Sequence, residues 1–182
     1  MSNFKIHTLE TVPAESKALA EGSIKANGML PNLHAVMAEA PGLFEGYQVL
    51  HKLFTESSFD ADQMTVVWQT INVEHECTYC VPAHTAIAGM MGVDSAITEA
   101  LRNQTAMPTD KLQVLHETTL AMVRSRGNLS QDEITKFFDA GYTQRQLLEI
   151  VVGMAQKVMS NYTNHLAETP VDAPFQSFAW KK

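Results

Sequence analysis

The segment Glu74-His75-Glu76-Cys77-Thr78-Tyr79-Cys80-Val81-Pro82-Ala83-His84 gathers side chains that can do chemistry. It holds both cysteines of the chain, three residues apart, with a histidine four residues after the second. On an α-helix, positions i, i+3 and i+7 share a face, so Cys77, Cys80 and His84 align. The Cα atoms at i and i+3 lie roughly 5 Å apart, within the range a disulfide tolerates. Pro82 fits only the first turns of a helix, which places the cysteines near its N-terminus. There, free N–H groups and the helix dipole favour a thiolate. His84, one turn beyond Cys80, is placed to take the thiol proton directly or through a water. This pattern assigns Cys80 as the attacking thiolate and Cys77 as the thiol that condenses with the resulting sulfenic acid. An external dithiol then resets the pair, and no organic or metal cofactor is required.

Plainer roles compete with redox chemistry. A buried cysteine often serves as a small apolar residue. Here, though, the two are paired at redox spacing with an in-phase histidine. A disulfide closing so short a loop removes little entropy from the unfolded chain, so stability is a poor reason for the pair. Zinc is the stronger rival, because two cysteines and His84 supply three ligands. A structural zinc site needs a fourth, and only His75 or a distant histidine is available for it.

The elements that must position these residues read as helices throughout. A first helix is expected over about 13–27, ended by Gly28, and a short one after Pro31 until Pro41-Gly42. The next, near 43–55, places Leu43, Tyr47, Leu50 and Phe54 on one stripe. Asp60 and Gln63 form a capping pattern before a helix to about Glu74. Val66 and Val73 give that segment some strand character, but its length favours helix. Cys77 to Met91 reads as a helix closed by Gly92. Asp94 caps a short one to Asn103, and Thr109 a longer one ending at Gly127. Ser130 to Glu133 is a capping box whose helix closes at Gly141. Thr143 and Gln146 open a last long helix to about Glu168. Its middle, 147–159, is apolar on nearly every side, which suits a bundle centre or a subunit interface. Residues 179–182 look like a tail. The fold class is therefore all-α, with about eight or nine helices and no domain boundary within 1–182.

Composition narrows the function further. With 45% hydrophobic and 18% charged residues, the chain is expected to fold rather than stay disordered. A net charge of −7 with scattered basic residues disfavours nucleic acid and anionic membranes as partners. No run approaches the roughly 18 apolar residues of a membrane helix. Met1 to Glu10 lacks the apolar core of a signal peptide, so the expected address is the cytoplasm.

With these residues in place, the chain resembles the AhpD-like alkyl hydroperoxidases of the carboxymuconolactone decarboxylase superfamily. Their signature, Cys-x-x-Cys-x-x-x-His on a helix, is matched by Cys77, Cys80 and His84. The flanks Val81-Pro-Ala-His-Thr-Ala and Met91-Gly-Val agree. So do Gly141-Tyr-Thr and the helix ending Asn161-Tyr-Thr-Asn-His165-Leu-Ala. The resemblance spans about 30–170. It implies an all-α fold, homo-oligomers, and peroxide reduction by the paired thiols. The branch named for decarboxylation lacks the paired cysteines, so that reaction is disfavoured. The family's peroxidases carry a glutamate twelve residues before the first cysteine, which relays a proton to the histidine. That position is Thr65, whose hydroxyl cannot replace a carboxylate as an acceptor near neutral pH. Asp62, one turn earlier, is the expected substitute, ahead of Glu74. Glu76 also lies beside the cysteines. A histidine found between the cysteines of well-known members is Tyr79 here, which can donate a hydrogen bond but is no base at neutral pH.

The expected activity is thus a hydroperoxide reductase. The alternatives are a thiol–disulfide oxidoreductase using the same pair and a zinc-stabilised helical oligomer without turnover. Asn161 and His165, one turn apart, are weaker pocket candidates, more simply read as structural. Ten methionines suit a helical core. His34, His51 and His116 receive no role.

Overall fold

A computed structural model describes residues 3–181 of the chain, so Met1, Ser2 and the end of the expected tail, Lys182, lie outside the described residues. Among the described residues, nine α-helices follow one another and there is no strand. They are α1 (Lys17–Asn27), α2 (Asn32–Met37), α3 (Pro41–Thr55), α4 (Ala61–Glu74) and α5 (Cys80–Met90), then α6 (Ser95–Asn103), α7 (Asp110–Ser125), α8 (Gln131–Asp139) and α9 (Gln144–Ala167). Short 3-10 segments cover Ala14–Ser16 and Ala173–Phe178. No helix among the described residues is long and apolar enough to cross a membrane.

Local chemistry explains the helix limits. Asp60, Ser130 and Thr143 each accept a backbone N–H three residues on, while Gln63, Glu133 and Gln146 return the bond, closing three capping boxes. Asp94 and Thr109 cap α6 and α7. Gly28, at φ 74°, ends α1 in the left-handed conformation that a side chain would strain.

Three boundaries differ from the sequence expectation. Pro41 opens α3 instead of ending α2, because the first helical position needs no backbone N–H. The fifth helix begins at Cys80 rather than Cys77. The expected C-terminal tail is packed down. Trp180 is buried beside Val73 and Val81 and donates Nε1–H to the Arg102 carbonyl at 3.0 Å. Arg102 in turn binds the carbonyls of Phe178 and Ala179. A buried indole with a satisfied N–H outweighs the freedom of a short tail.

Helix α4 is the axis of the bundle. Every residue from Thr65 to Val73 is buried, and α5, α6, α7 and α9 all pack on it. Its strand-like run of Val66, Val67, Thr70, Ile71 and Val73 follows from that burial, since a helix covered all round needs no polar face. α9 divides its faces. Ile150, Gly153, Gln156, Lys157, Asn161 and Asn164 point inward, while Leu148, Val151, Val158, Tyr162 and Leu166 are exposed.

α3 meets α9 where Gly153 faces Phe54. A Cβ at Gly153 would lie 2.8 Å from Phe54 Cε2, and that ring is wedged against Phe59 and Trp68. Gly22, within α1, has open space around it. Gly22→Ala should therefore stabilise the protein by about 0.5–1 kcal/mol through helix propensity. Gly153→Ala should destabilise it by about 1–3 kcal/mol through overpacking, despite the same propensity gain. Denaturant unfolding of the two variants checks the opposite signs.

Candidate active site

The turn between α4 and α5 is built around one cysteine. α4 ends in a Schellman motif: Glu76 N–H reaches the Val73 carbonyl and Cys77 N–H reaches the Asn72 carbonyl, both at 3.0 Å. Glu76 takes the left-handed conformation (φ 55°) that this motif demands, at a strain of roughly 1–2 kcal/mol for a residue with a Cβ. Cys77 opens the turn that leads into α5 at Cys80. Its carbonyl accepts Val81 N–H at 3.1 Å, and its Sγ accepts Cys80 N–H at 3.3 Å. Both cysteines are free thiols, and exposure is 0% for Cys77 and 2% for Cys80.

Four groups converge on Cys80. Asn164 donates Nδ2–H to its Sγ at 3.2 Å and approaches Cys77 Sγ at 4.0 Å. Burial alone raises the Cys80 thiol. The Cys77 S–H, the Lys157 ammonium and the amides of Asn164 and Asn161 outweigh that and bring it down to about 6. Cys77 moves the other way, pushed up first by donating its proton to Cys80 and then by burial. The two thiols are thus shifted in opposite directions.

Lys157 is fully buried, with no exposed surface. Its Nζ donates to His84 Nε2 at 2.8 Å. Burial lowers Lys157, and the charge of an ionised Cys80 opposes that shift in part. His84 is held well below the usual imidazole range, first by burial, then by the Lys157 charge and His51. The imidazole is therefore the uncharged partner, which accepts from the ammonium. Trp68 packs against His84 with centroids 4.9 Å apart, and His51 stacks on Trp68 at 5.7 Å. Gln156 ties that layer together, accepting Trp68 Nε1–H at 2.7 Å and donating to His51 Nδ1 at 3.1 Å.

Among the residues expected from the sequence, Cys77 and Cys80 are brought together, and His84 joins them by way of Lys157. Of the two carboxylates expected to relay to His84, Glu74 is bound to an arginine. Asp62, in the first turn of α4, is shifted upward by burial and by Asp60 and Asp94. Glu74 accepts from Arg124 Nε and Nη2 at 2.7 and 2.9 Å. Among the described residues, the hydrogen-bond partner of the His84 ring is Lys157, a cation. Thr65 is buried on α4. Tyr79 turns away from the thiols, donating to Asp172 Oδ2 at 2.5 Å while accepting Leu33 N–H at 3.3 Å. Asp172 also accepts Asn32 N–H, so it ties the cysteine turn to the start of α2.

Asn161 is buried and belongs to the site's support. It donates to Asn72 at 3.0 Å and accepts from His75 at 2.9 Å, and Asn72 continues to Gln69. His165 is exposed. His34 bonds Ser23, and His116 bonds Thr70. Sequence reasoning missed Lys157 and Asn164. Their signal was present: Lys157, Asn161 and Asn164 fall at i, i+4 and i+7, and Lys157 is the one charge in the run 150–164.

Among the described residues, no three His, Cys, Asp or Glu side chains converge as a metal cluster. His84 Nε2 is occupied by Lys157, and a buried ammonium beside the sulfurs opposes a second cation there. The donor set does not suit zinc.

No protein-family model and no curated protein sequence matches the chain. Solved structures do. An uncharacterized peroxidase-related protein from Ralstonia eutropha JMP134, with an alkylhydroperoxidase AhpD core, is 15% identical and superimposes with a TM-score of 0.84, covering 96% of this chain and 94% of its own. A peroxidase-related protein from Silicibacter sp. TM1040 gives 17% identity and a TM-score of 0.79, over 95% and 92% of the two chains. The debrominase Bmp8, as a cysteine-to-alanine variant in complex with 2,3,4-tribromopyrrole, gives 15% and 0.79 over 97% and 95%. The fold is AhpD-like.

If Lys157 sets the ionisation of Cys80, Lys157→Met should slow alkylation of reduced protein by about 10-fold or more near neutral pH. The rate should return in alkaline buffer, and Lys157→Arg should retain more of it. A neutral-pH rate unchanged in Lys157→Met would show that the amides and Cys77 suffice.

Proposed function

We propose that this protein is a thiol-dependent peroxidase that reduces hydroperoxides through Cys80 and Cys77. The observation that carries the proposal is the asymmetry of the pair: a buried Cys80 lowered to about 6 beside a Cys77 that keeps its proton. The Cys80 thiolate attacks the peroxide oxygen that carries hydrogen. An S–O bond forms, the O–O bond breaks, and the leaving oxygen takes a proton to become alcohol or water. The Cys77 thiol then attacks the Cys80 sulfur, water leaves, and the disulfide closes. An external dithiol returns two electrons and two protons, which suits a reducing compartment such as the cytoplasm.

His84 and Lys157 handle the proton as a pair. Lys157 carries it in the resting state, and His84 holds the ammonium in place from Nε2. The sequence-based role of His84 as a base is thus exercised through Lys157. The near-complete burial of both sulfurs favours a slender peroxide over a bulky disulfide substrate, since thiol–disulfide exchange needs three sulfurs to approach in line. Exposed Leu148, Val151, Val158, Tyr162 and Leu166 on one face of α9 support a homo-oligomer.

Reduced protein mixed with hydrogen peroxide should lose both thiols and form one intramolecular disulfide. Cys80→Ser should abolish peroxide consumption, and Cys77→Ser should give a single sulfenic acid at Cys80 without turnover. Oxidation of Cys77 in the Cys80→Ser variant, at the wild-type rate, would invert the two roles.

A further inference from the structure

Asn164 lies two helical turns beyond Lys157 on the inner face of α9 and is 4% exposed. Its Nδ2 donates to Cys80 Sγ at 3.2 Å. Its Oδ1 is buried and has no hydrogen-bond partner among the described residues. Reversing the amide would set a carbonyl oxygen against a thiolate, two acceptors facing each other, so the donor-to-sulfur orientation is the one the chemistry allows. Both amide atoms branch from one carbon, which keeps Oδ1 beside the thiols as well. Its neighbours on the same face are satisfied: Gln156 by Trp68 and His51, and Asn161 by Asn72 and His75. A buried carbonyl left without a donor is costly, and leucine would fill similar space without that cost. The orphan acceptor belongs to the amide that bonds the Cys80 sulfur.

We infer that Asn164 is a specificity-determining residue, whose Oδ1 accepts the O–H of the hydroperoxide oxygen that Cys80 attacks. The inference rests on the peroxidase function proposed above. The attacked oxygen carries its hydrogen into the sulfenic acid: Cys80 S⁻ and HO–OR give Cys80 S–OH and RO⁻, which takes a proton from the Lys157 ammonium and leaves as ROH. Sulfur is oxidised and the peroxide reduced, with no further reactant. Because the hydrogen never leaves that oxygen, one hydrogen bond to Oδ1 serves substrate and intermediate alike. The same amide donates to the sulfur, so it fixes the angle between nucleophile and electrophile. Electrophiles without an O–H at the attacked atom gain nothing from Oδ1.

The test compares two rates on reduced protein across pH: thiol loss to hydrogen peroxide and alkylation by iodoacetamide. Asn164→Leu removes donor and acceptor together, so both rates should fall near neutral pH as the Cys80 thiol becomes harder to ionise. In alkaline buffer, where Cys80 is fully ionised, alkylation should come back to within about 2-fold of wild type. The peroxide rate should stay about 10- to 100-fold low, the loss expected from one missing hydrogen bond to the reacting oxygen. Asn164→Ala is the second acceptor-free variant should the leucine fail to fold. A wild-type ratio of peroxide to alkylation rate in the leucine or alanine variant overturns the role of Oδ1 and leaves the peroxidase function standing. Wild-type protein whose Cys80 is alkylated readily but never oxidised by peroxide overturns both.

Discussion

An ammonium group with no exposed surface keeps its charge only if its surroundings replace the water it has lost. In this protein His84 Nε2, 2.8 Å from Lys157 Nζ, supplies one replacement, and the nearby Cys80 favours the charged form of the lysine. The dependence is mutual. Burial by itself raises the Cys80 thiol, and Lys157 is one of the groups that reverse the sign. Neither charge is tolerable alone in that interior. The rest of the site follows from keeping the two together. His84 must remain neutral to accept from Lys157, and burial beside Trp68 ensures it. Asn161 and Asn164 must lie on the same helix face as Lys157, because the sulfur has lone pairs to satisfy and no water to do it.

Placing that pair needs three helices to agree. α4 supplies the buried axis and ends in a turn that leaves Cys77 pinned to the Asn72 carbonyl. The sulfur of the same residue accepts Cys80 N–H at the start of α5. α9 passes close enough to reach both because Gly153 lets it approach Phe54 on α3. The left-handed Glu76 is the consequence of ending one helix and starting another within so few residues. Tyr79 and Asp172 hold the same turn from the other side, linking it to α2 and the C-terminal segment. A change in the oxidation state of Cys77 therefore acts on a turn that is tied down at both ends.

Much of this was legible in the sequence because it is local. Capping boxes at Asp60, Ser130 and Thr143 depend only on spacing within one helix or turn. The partner of His84 was not legible, because Lys157 lies 73 residues away and only packing brings it there. Expecting a carboxylate led to Asp62 and Glu74, which are near Thr65 or the cysteines in sequence but face other groups in space. The burial of Trp180 was hidden for a similar reason, since nothing local shows that the Arg102 carbonyl waits for its indole N–H. A single lysine inside the apolar run of α9 was the available clue, with Asn161 and Asn164 in phase behind it. A charge on an inward face needs a partner, and the site holds one.

If Cys80 rests as a thiolate held by Lys157 in a closed interior, its ionisation can be followed directly. Titrating the ultraviolet absorbance of thiolate in reduced protein, with Cys80→Ser as the blank, does so. One thiolate should appear with a midpoint near about 6 and vanish in the blank. Absorbance that rises only around the ordinary cysteine value of about 8.5, or that persists in Cys80→Ser, would contradict the account.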